Sequence, residues 1–489
     1  MSETSRREFL KGSVVSGLAM GAASMGTSAA EEAHAGSAKS NPKQQQPNIV
    51  LICSDQFRAD FIGAYRENTR TRTPNLDRIV ERGTAFKYAI TPQPLCSPAR
   101  SCMITGRYAT ETGEWRNVVG MDRTLPTLAS VLRSHGYTAN FIGKWHLMKP
   151  HGTGDKSVGY VPPEDRGGFL DLWEGSNSYE GTTHPYEGSV WDGSGDEISY
   201  KDQYRIDFIT ERAVRFLRQP QQRPFLLYVS QLEPHQQNNL HRMVAPNGYA
   251  ENFKDPFVPA DLRPFPGDWQ TQLPDYYGCV QKIDESVGTI IDTLREQNLL
   301  DSTIVAFISD HGCQFKTRNT EYKRSPHDSS IRIPFIFQGP GFDSSMELSE
   351  VVSLLDLTPT LLSAAGVPVP ESMKGRNLLP LITDSSARRA WDNVAYVQIS
   401  ESMLARAIRT KEWCYCVVDP TKTGWDQSTS THYYEYQMYN LYQDPAELVN
   451  LAGRQEFKQQ AAMLREELKK RLLAAGEQEC EITPATLYP

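Results

Sequence analysis

Features that define several other protein classes are scarce or missing in this sequence of 489 residues. No apolar run reaches the roughly 18 residues of a membrane-spanning helix, so we expect no membrane span. The net charge is only −8, which argues against nucleic acid or an anionic membrane surface as a main partner. Eight cysteines in so long a chain do not make a disulfide framework. With 39% hydrophobic and 22% charged residues, the chain has the composition of a large globular protein.

The first 35 residues are predicted to be an export signal. Residues 5–11 read SRREFLK, the pattern of a twin-arginine signal, and a weakly hydrophobic stretch follows at 14–30. A flexible linker is predicted at 36–46. From this pattern we expect a bacterial protein that the twin-arginine translocase delivers to the periplasm or the exterior. That translocase carries proteins that have already folded.

The remainder predicts an α/β fold in two parts. Short apolar runs alternate with helical segments, which is the pattern of a large, mostly parallel sheet sandwiched between helices. The runs lie at 48–53, 138–142, 224–230, 303–309 and 334–338. Apolar spacing predicts a core-facing helix over 275–298, while 150–220 lacks clean periodicity and predicts long loops. We expect a catalytic domain at 47–385 and a smaller C-terminal α+β subdomain at 386–489.

Polar motifs follow four of these apolar runs. They contain Asp55 and Gln56, Lys144 and His146, His235, and Asp310 with His311. In open α/β sheets the functional site forms at the carboxyl ends of the strands, so we expect the motifs to converge there. Oxygen donors from Asp55, Gln56 and Asp310 suit Ca²⁺ or Mg²⁺, and the imidazole of His311 leaves Mn²⁺ open.

The run from Cys96 to Arg107, CSPARSCMITGR, carries the most specific motif. It resembles C-x-P-x-R followed by T-G-R, the maturation signature of the formylglycine-dependent sulfatases of the alkaline phosphatase superfamily. The resemblance implies that family's fold and a formylglycine made from Cys96 by a maturase, the formylglycine-generating enzyme. The hydrated aldehyde would be the nucleophile, with one hydroxyl to attack sulfur and a second whose deprotonation expels sulfate.

The resemblance also implies roles for the other motif residues. Lys144 and His146 alternate along a segment expected to be extended, so both would point into one pocket. Lys144 would contact the sulfate, His146 would be the base that triggers sulfate elimination, and His235 would be the acid for the leaving alcohol. Lys323 matches a late family lysine that holds sulfate, and Arg324 takes its place if the loop register differs.

The implied metal site differs from that of many family members. Its ligands would be the modified Cys96 with Asp55, Gln56, Asp310 and His311. Arg100 would pair with the ligand carboxylates or with the formylglycine hydroxyl. Many members carry two adjacent aspartates where this chain has Asp55-Gln56. Similar Asp-Gln pairs occur in the choline-sulfatase and phosphonate-monoester-hydrolase branches.

Substrate identity is only weakly encoded. Trp115, Arg116 and Asn117 lie in a predicted loop and are consistent with sugar binding, and Arg324 and His327, close to the late lysine, are expected to contact the substrate. We therefore predict a sulfuric ester hydrolase that acts on a sulfated glycan or small molecule, with Ca²⁺ the expected ion. A phosphonate monoester or phosphodiester hydrolase with the same nucleophile is the alternative. A non-catalytic glycan-binding protein that kept the fold is a further one.

Overall fold

The strand Asn48–Asp55 (β1) lies at the centre of the fold, and its side chains alternate between two hydrophobic cores. In this computed structural model, which describes residues 46–150 and 157–488, Val50 and Ile52 enter one core. Ile49 and Leu51 enter the other. A strand buried on both faces belongs to the middle of an α/β sheet. The predicted export signal lies outside the described residues.

Twelve strands form the large sheet. They are β1, β2 (Thr84–Ile90), β3 (Thr138–Lys144), β4 (Trp173–Ser176), β5 (Thr183–His184), β6 (Glu187–Asp192), β7 (Glu197–Lys201), β8 (Phe225–Pro234), β9 (Thr303–Ser309), β10 (Arg332–Ile333), β11 (Phe335–Gln338) and β12 (Met346–Ser353). The order is β10-β2-β11-β9-β1-β8-β3-β4-β6-β5, with β12 on β2 and β7 on β6. The five strands from β9 to β4 are parallel, whereas both margins are largely antiparallel. The predicted parallel sheet is therefore the centre of a mixed one.

Helices cover both faces of this sheet, and the last helix of the chain packs on a second sheet that is described below. The helices are α1 (Pro74–Arg82), α2 (Cys96–Thr105), α3 (Ala109–Thr112), α4 (Leu128–Ser134), α5 (Tyr179–Thr182), α6 (Arg205–Leu217), α7 (Trp269–Glu296), α8 (Asp328–Ile331), α9 (Leu357–Ala364), α10 (Leu379–Thr383), α11 (Ser385–Ala390) and α12 (Lys458–Ala474). Apolar residues of α1, α6 and α7 fill one core, and those of α2, α4 and α9 fill the other. The helix predicted at 275–298 is confirmed, although it begins six residues earlier.

The prediction of long loops across 150–220 is wrong for much of that interval. It contains β4 to β7 and the 13-residue helix α6. Four strands of two to six residues are too short to reveal a period in the sequence. The apolar face of α6 does have helical spacing, with Ile206, Ile209 and Ala213 buried, and the composition of the flanking segments obscured it.

A second, five-stranded sheet follows in the chain. Its strands, in spatial order, are β13 (Val394–Ile399), β14 (Leu404–Thr410), β15 (Trp413–Asp419), β16 (His432–Asn440) and β17 (Glu481–Thr483). Leu464, Leu468 and Leu472 of α12 pack on it in a separate core. Among the described residues, no helix combines the length and apolarity needed to cross a bilayer.

Candidate active site

The four polar motifs lie at one edge of the large sheet, as the sequence predicts. Asp55 is the last residue of β1 and pairs with Pro234 at the end of β8. Ser54 pairs with Ser309, which ends β9, so Asp310 follows directly beside it. Lys144 ends β3 on the other side of β8. Because these central strands are parallel, their carboxyl ends bring the motifs together.

Asp55, Cys96, Asp310 and His311 form a fully buried cluster at this edge. One potential ligand atom from each residue lies within 4.8 Å of the others. Cys96 Sγ is 3.3 Å from His311 Nε2 and 3.6 Å from Asp55 Oδ1. His311 Nε2 is 3.6 Å from one oxygen of each carboxylate. Two carboxylates, a sulfur atom and an imidazole nitrogen this close together could hold one cation.

The ring of His311 presents a lone pair to this cluster. Its Nδ1 lies 2.9 Å from the carbonyl oxygen of Gly312, which can only accept a hydrogen bond. In the neutral ring the proton therefore lies on Nδ1, and the lone pair lies on Nε2. A backbone carbonyl on the distal nitrogen is a usual partner of a metal-binding histidine.

Gln56 supports the cluster through both its backbone and its side chain. Its φ is +69°, and its N–H donates to Asp310 Oδ1 at 3.1 Å. The side-chain Nε2 donates to Gln236 Oε1, whereas Oε1 is buried without a hydrogen-bond partner. A buried oxygen in that state costs free energy unless a cation or water meets it. The side chain of Gln56 therefore fits an oxygen-ligated cation.

Arg100, in α2, fixes the two carboxylates. Its Nη2 is 3.2 Å from Asp55 Oδ2, and its Nε is 3.1 Å from Asp310 Oδ2. Its Nη1 donates to Ser230 Oγ at 2.7 Å. Burial and the Asp55 charge raise the pKa of Asp310. Burial alone would also raise the pKa of Asp55, but Lys144 and other nearby cations hold it well below its usual range.

Cys96 is the first residue of α2 and is almost completely buried. Lys323 Nζ lies 2.9 Å from its Sγ. Burial opposes ionisation of the thiol, but the positive charges of Lys144 and Lys323 oppose burial most strongly, and the pKa of Cys96 lies well below its usual range. The pocket therefore stabilises negative charge at the end of the residue-96 side chain.

Lys144 lies between two carboxylates. Its Nζ is 2.8 Å from Asp55 Oδ2 and 3.1 Å from Glu180 Oε2. Burial raises the pKa of Glu180, but Lys144, His146 and His235 outweigh it and lower that pKa to about 2. Sequence analysis missed Glu180, because it follows a four-residue strand that carries no recognisable motif. It is an additional member of the pocket.

His146 and His235 complete the set of side chains around Cys96. The predicted extended segment does not continue through His146, which has a φ of +64°. Its Nδ1 is buried without a hydrogen-bond partner, and its side chain is among the groups that lower the pKa of Cys96. His235 Nδ1 lies 2.7 Å from the carbonyl oxygen of Gln236, so this nitrogen donates and Nε2 is left for another partner.

The segment 115–117 packs against the start of α2. Asn117 Oδ1 accepts a hydrogen bond from the N–H of Ser97 at 3.2 Å. The Arg116 guanidinium lies 5.3 Å from the ring centroid of Trp115 and 5.9 Å from that of Trp425. Trp425 is half exposed. An exposed aromatic and a stacked arginine beside the nucleophile helix form a surface suited to a polar ring such as a sugar.

Lys323, and not Arg324, reaches Cys96. Arg324 instead forms an ion pair of 2.5 Å with Glu401, in the segment between β13 and β14. Glu401 Oε1 also accepts the N–H of Asn117 at 2.9 Å. Sequence analysis did not find Glu401, because the contact joins segments nearly 300 residues apart. The segment that carries Glu401 therefore contributes to the surroundings of the pocket.

His327 lies in a buried network rather than on an open wall. Its Nδ1 is 3.0 Å from Ser325 Oγ, and its Nε2 is 3.2 Å from Tyr439 Oη. Burial lowers the pKa of His327 well below its usual range. Both ring nitrogens have protein partners, which disfavours the predicted contact with substrate.

Comparisons with known proteins identify the family of this chain. The sulfatase family model matches residues 47–367, and the model for the C-terminal part of N-sulphoglucosamine sulphohydrolase matches residues 321–474. The ulvan-active sulfatase of Formosa agariphila is 28% identical to this chain over 453 residues. The alignment covers 88% of this chain and 82% of that relative.

Solved structures show the same fold. The sulfatase yidJ from Bacteroides fragilis matches with a TM-score of 0.74 and 26% identity, over 90% of this chain and 98% of that one. A phosphonate monoester hydrolase from Agrobacterium radiobacter matches with a TM-score of 0.67 over 88% of this chain and 96% of that one. Its identity is 20%, so that likeness concerns the fold alone.

Proposed function

Because the chain belongs to the sulfatase family, and is therefore a sulfatase, we propose that it removes sulfate from a carbohydrate sulfate ester. The proposed nucleophile is a formylglycine derived from Cys96, and the proposed cofactor is a divalent cation. The observation that carries this proposal is the contact of residue 96 with the Lys323 ammonium group and with the cluster of Asp55, Asp310 and His311.

A formylglycine at position 96 fits its surroundings. As its hydrate, it would supply one hydroxyl group as nucleophile and a second to be deprotonated later. Lys323 Nζ already lies 2.9 Å from the Sγ atom, and Lys144 and Lys323 both lower the pKa of the thiol. The same groups would favour an oxygen that carries negative charge. The C-x-P-x-R sequence around Cys96 supports a formylglycine-generating enzyme as a maturation partner.

A divalent cation fits the buried donor set. Asp55, Gln56, Asp310 and His311 would hold it, together with residue 96. When bound, the cation would neutralise negative charge on the sulfate oxygens. The orphaned Oε1 of Gln56 and the lone pair of His311 Nε2 support this site. The oxygen donors favour Ca²⁺ or Mg²⁺, and the single imidazole leaves Mn²⁺ open.

Other side chains would bind the sulfate and move protons. Lys144 and Lys323 would hold the sulfate oxygens, since Lys323 Nζ lies 2.9 Å from Cys96 Sγ and Lys144 Nζ lies 2.8 Å from Asp55 in the same cluster. His146 would accept a proton from the side chain of residue 96. His235, with Nδ1 fixed on a backbone carbonyl, would donate from Nε2 to the leaving alcohol when its ring is protonated.

A sugar is the leaving group that we propose. Trp115, Arg116 and Trp425 form an aromatic and cationic surface close to the start of α2. The relative named for ulvan and the family model named for a sulphoglucosamine hydrolase support the same class. The SRREFLK sequence at 5–11 supports export by the twin-arginine translocase to the periplasm or the exterior.

A phosphonate monoester or phosphodiester hydrolase is the second candidate. Asp55-Gln56 resembles the pair found in that branch, and a hydrolase of phosphonate monoesters has the same fold. Both reactions would use the same nucleophile and the same cation. The two candidates therefore differ only in the ester that the pocket prefers.

Paired assays on esters of one alcohol separate the two candidates. We expect faster turnover of sulfated mono- and oligosaccharides, and of an aryl sulfate, than of the matching aryl phosphodiester or phosphonate monoester. Cys96→Ala is expected to lower turnover at least roughly a thousandfold, as loss of a catalytic nucleophile does. Preference for the phosphorus esters would favour the second candidate. If the enzyme hydrolyses the aryl sulfate but none of the sulfated sugars, the carbohydrate assignment is overturned.

A further inference from the structure

Glu180 places a negative charge in a pocket that the proposed function assigns to an anion. Its Oε2 lies 3.1 Å from Lys144 Nζ, and the same ammonium group contacts Asp55 at 2.8 Å. Glu180 reaches this point because β4 pairs with β3, with Ser176 beside Lys144. The chain then turns at Ser178, whose φ is +47°.

Glu180 is distinct from the carboxylates of the cation cluster. Asp55 and Asp310 are each held by Arg100 and lie within 4.8 Å of His311. Within the described part of the chain, the one ion pair of Glu180 is with Lys144, and Glu180 forms none with Arg100 or with His311. Its Oε2 makes no hydrogen bond, and only 13% of its side chain is exposed. Its charge therefore lies against Lys144 and acts more weakly on His146 and His235.

A fixed negative charge distinguishes anions by their own charge. A sulfate monoester carries one negative charge, whereas a phosphate monoester carries close to two above its second pKa of about 6. Lys144 Nζ lies 3.1 Å from Glu180 Oε2, and an anion bound to the same ammonium group would lie about 3 Å from it, so the two negative charges would be at most about 6 Å apart. At that distance the additional charge of a phosphate monoester weakens its binding by at least roughly tenfold.

We propose that Glu180 is a specificity-determining residue that makes the pocket select monoanionic sulfate esters over dianionic phosphate monoesters. This inference rests on the proposed sulfate pocket around Lys144. Glu180 offsets part of the positive charge of Lys144, and the remaining charge suits one negative charge better than two. Phosphate diesters are also monoanions, so Glu180 does not separate the two candidate functions above.

The test compares wild type with Glu180→Gln, which keeps the shape of the side chain and removes its charge. Benzenesulfonate and phenylphosphonate are stable probes that carry one and two negative charges at about pH 8.5. Calorimetry on the mature, cation-loaded protein gives the affinity for each probe. We expect Glu180→Gln to tighten phenylphosphonate relative to benzenesulfonate by at least roughly tenfold. The ratio of kcat/KM for 4-nitrophenyl phosphate to that for 4-nitrophenyl sulfate should rise equally.

Two controls keep this test decisive. Glu187→Gln removes the same charge from an exposed position of β6 and should leave the ratio unchanged. Glu180→Asp keeps the charge and should retain the wild-type preference even if stability falls. An affinity ratio in Glu180→Gln that stays within twofold of wild type overturns the inference. Failure of the proposed function would give a different result: the wild-type protein would hydrolyse no sulfate ester, whatever the ratio of the two affinities.

Discussion

The environment of residue 96 depends on which of two adjacent basic side chains turns toward it. The sequence places Lys323 and Arg324 side by side and leaves either as the group that holds sulfate. In the structure Lys323 Nζ lies 2.9 Å from Cys96 Sγ, whereas Arg324 pairs with Glu401. The choice depends on the loop conformation, since Arg324 has a φ of +72° that the sequence does not reveal.

This difference predicts unequal effects of two neighbouring substitutions. Lys323→Ala removes a charge that contacts residue 96, so we expect kcat/KM for an aryl sulfate to fall at least about a hundredfold. Arg324→Ala leaves that contact in place, so we expect less than a tenfold loss, mainly in KM. Steady-state kinetics on both variants checks this. Equal losses in kcat would show that the two side chains do not have separate tasks.

At the scale of helices and strands, the apolar runs predicted the strands that lead to Asp55, Lys144, His235 and Asp310, but none of them predicted α2, which carries Cys96. Four predicted runs correspond to β1, β3, β8 and β9, and each of these strands ends within a polar motif or directly before one. The antiparallel margins of the large sheet and its short strands could not be predicted from the sequence. The consequence at the site is that Glu180 and Glu401 were missed, because each reaches the pocket from a segment whose placement depends on long-range pairing.

The loop between α3 and α4 contains a buried carboxyl group with a predictable effect on stability. Glu114 is 1% exposed, and its Oε2 has no hydrogen-bond partner. Burial raises the pKa of Glu114 from 4.5 to about 8, against smaller opposing effects of the backbone amides of Gly120 and Val119. Between these two values the folded protein binds a proton that the unfolded chain has lost. The free energy of unfolding therefore falls as pH rises through this window.

Glu114→Gln should remove this decrease in the free energy of unfolding with rising pH. We expect the melting temperature of the variant relative to wild type to increase from pH 5 to pH 8, with an upper limit of about 1.4 kcal/mol for each pH unit. Thermal unfolding at several pH values measures it. Glu164→Gln, at an exposed position, is the matched control and should show no such trend. A constant difference between Glu114→Gln and wild type would contradict this account of Glu114.

At the scale of the whole molecule, the pocket is built from both sheets. The large sheet supplies the cluster and Lys144, and the region of the smaller sheet supplies Glu401 and Trp425 to the segment 115–117. We propose that 47–385 and 386–489 correspond to the catalytic domain and the C-terminal subdomain. Substrate choice would then depend on both, whereas the chemistry of residue 96 would depend on the first.

Cation binding should stabilise the whole molecule. Asp55 and Asp310 are buried close together, so a bound divalent cation would relieve their repulsion and add binding free energy to folding. Dialysis against a chelator should lower the melting temperature by several degrees, and excess Ca²⁺, Mg²⁺ or Mn²⁺ should restore it. Saturation at a hundred times the dissociation constant contributes about 2.7 kcal/mol. Gln56→Ala should require more cation for the same recovery, and a melting temperature unaffected by chelation would contradict the proposed site.

The most direct test of the central claim is peptide mass spectrometry across Cys96, on protein purified from its native host. Conversion of –CH₂SH to –CHO lowers the mass of that peptide by roughly 18 Da relative to the thiol, and this is the predicted result. Substitution of Arg100 within the C-x-P-x-R motif should reduce the converted fraction. An unmodified thiol at Cys96 in exported protein that hydrolyses sulfate esters would contradict the formylglycine assignment.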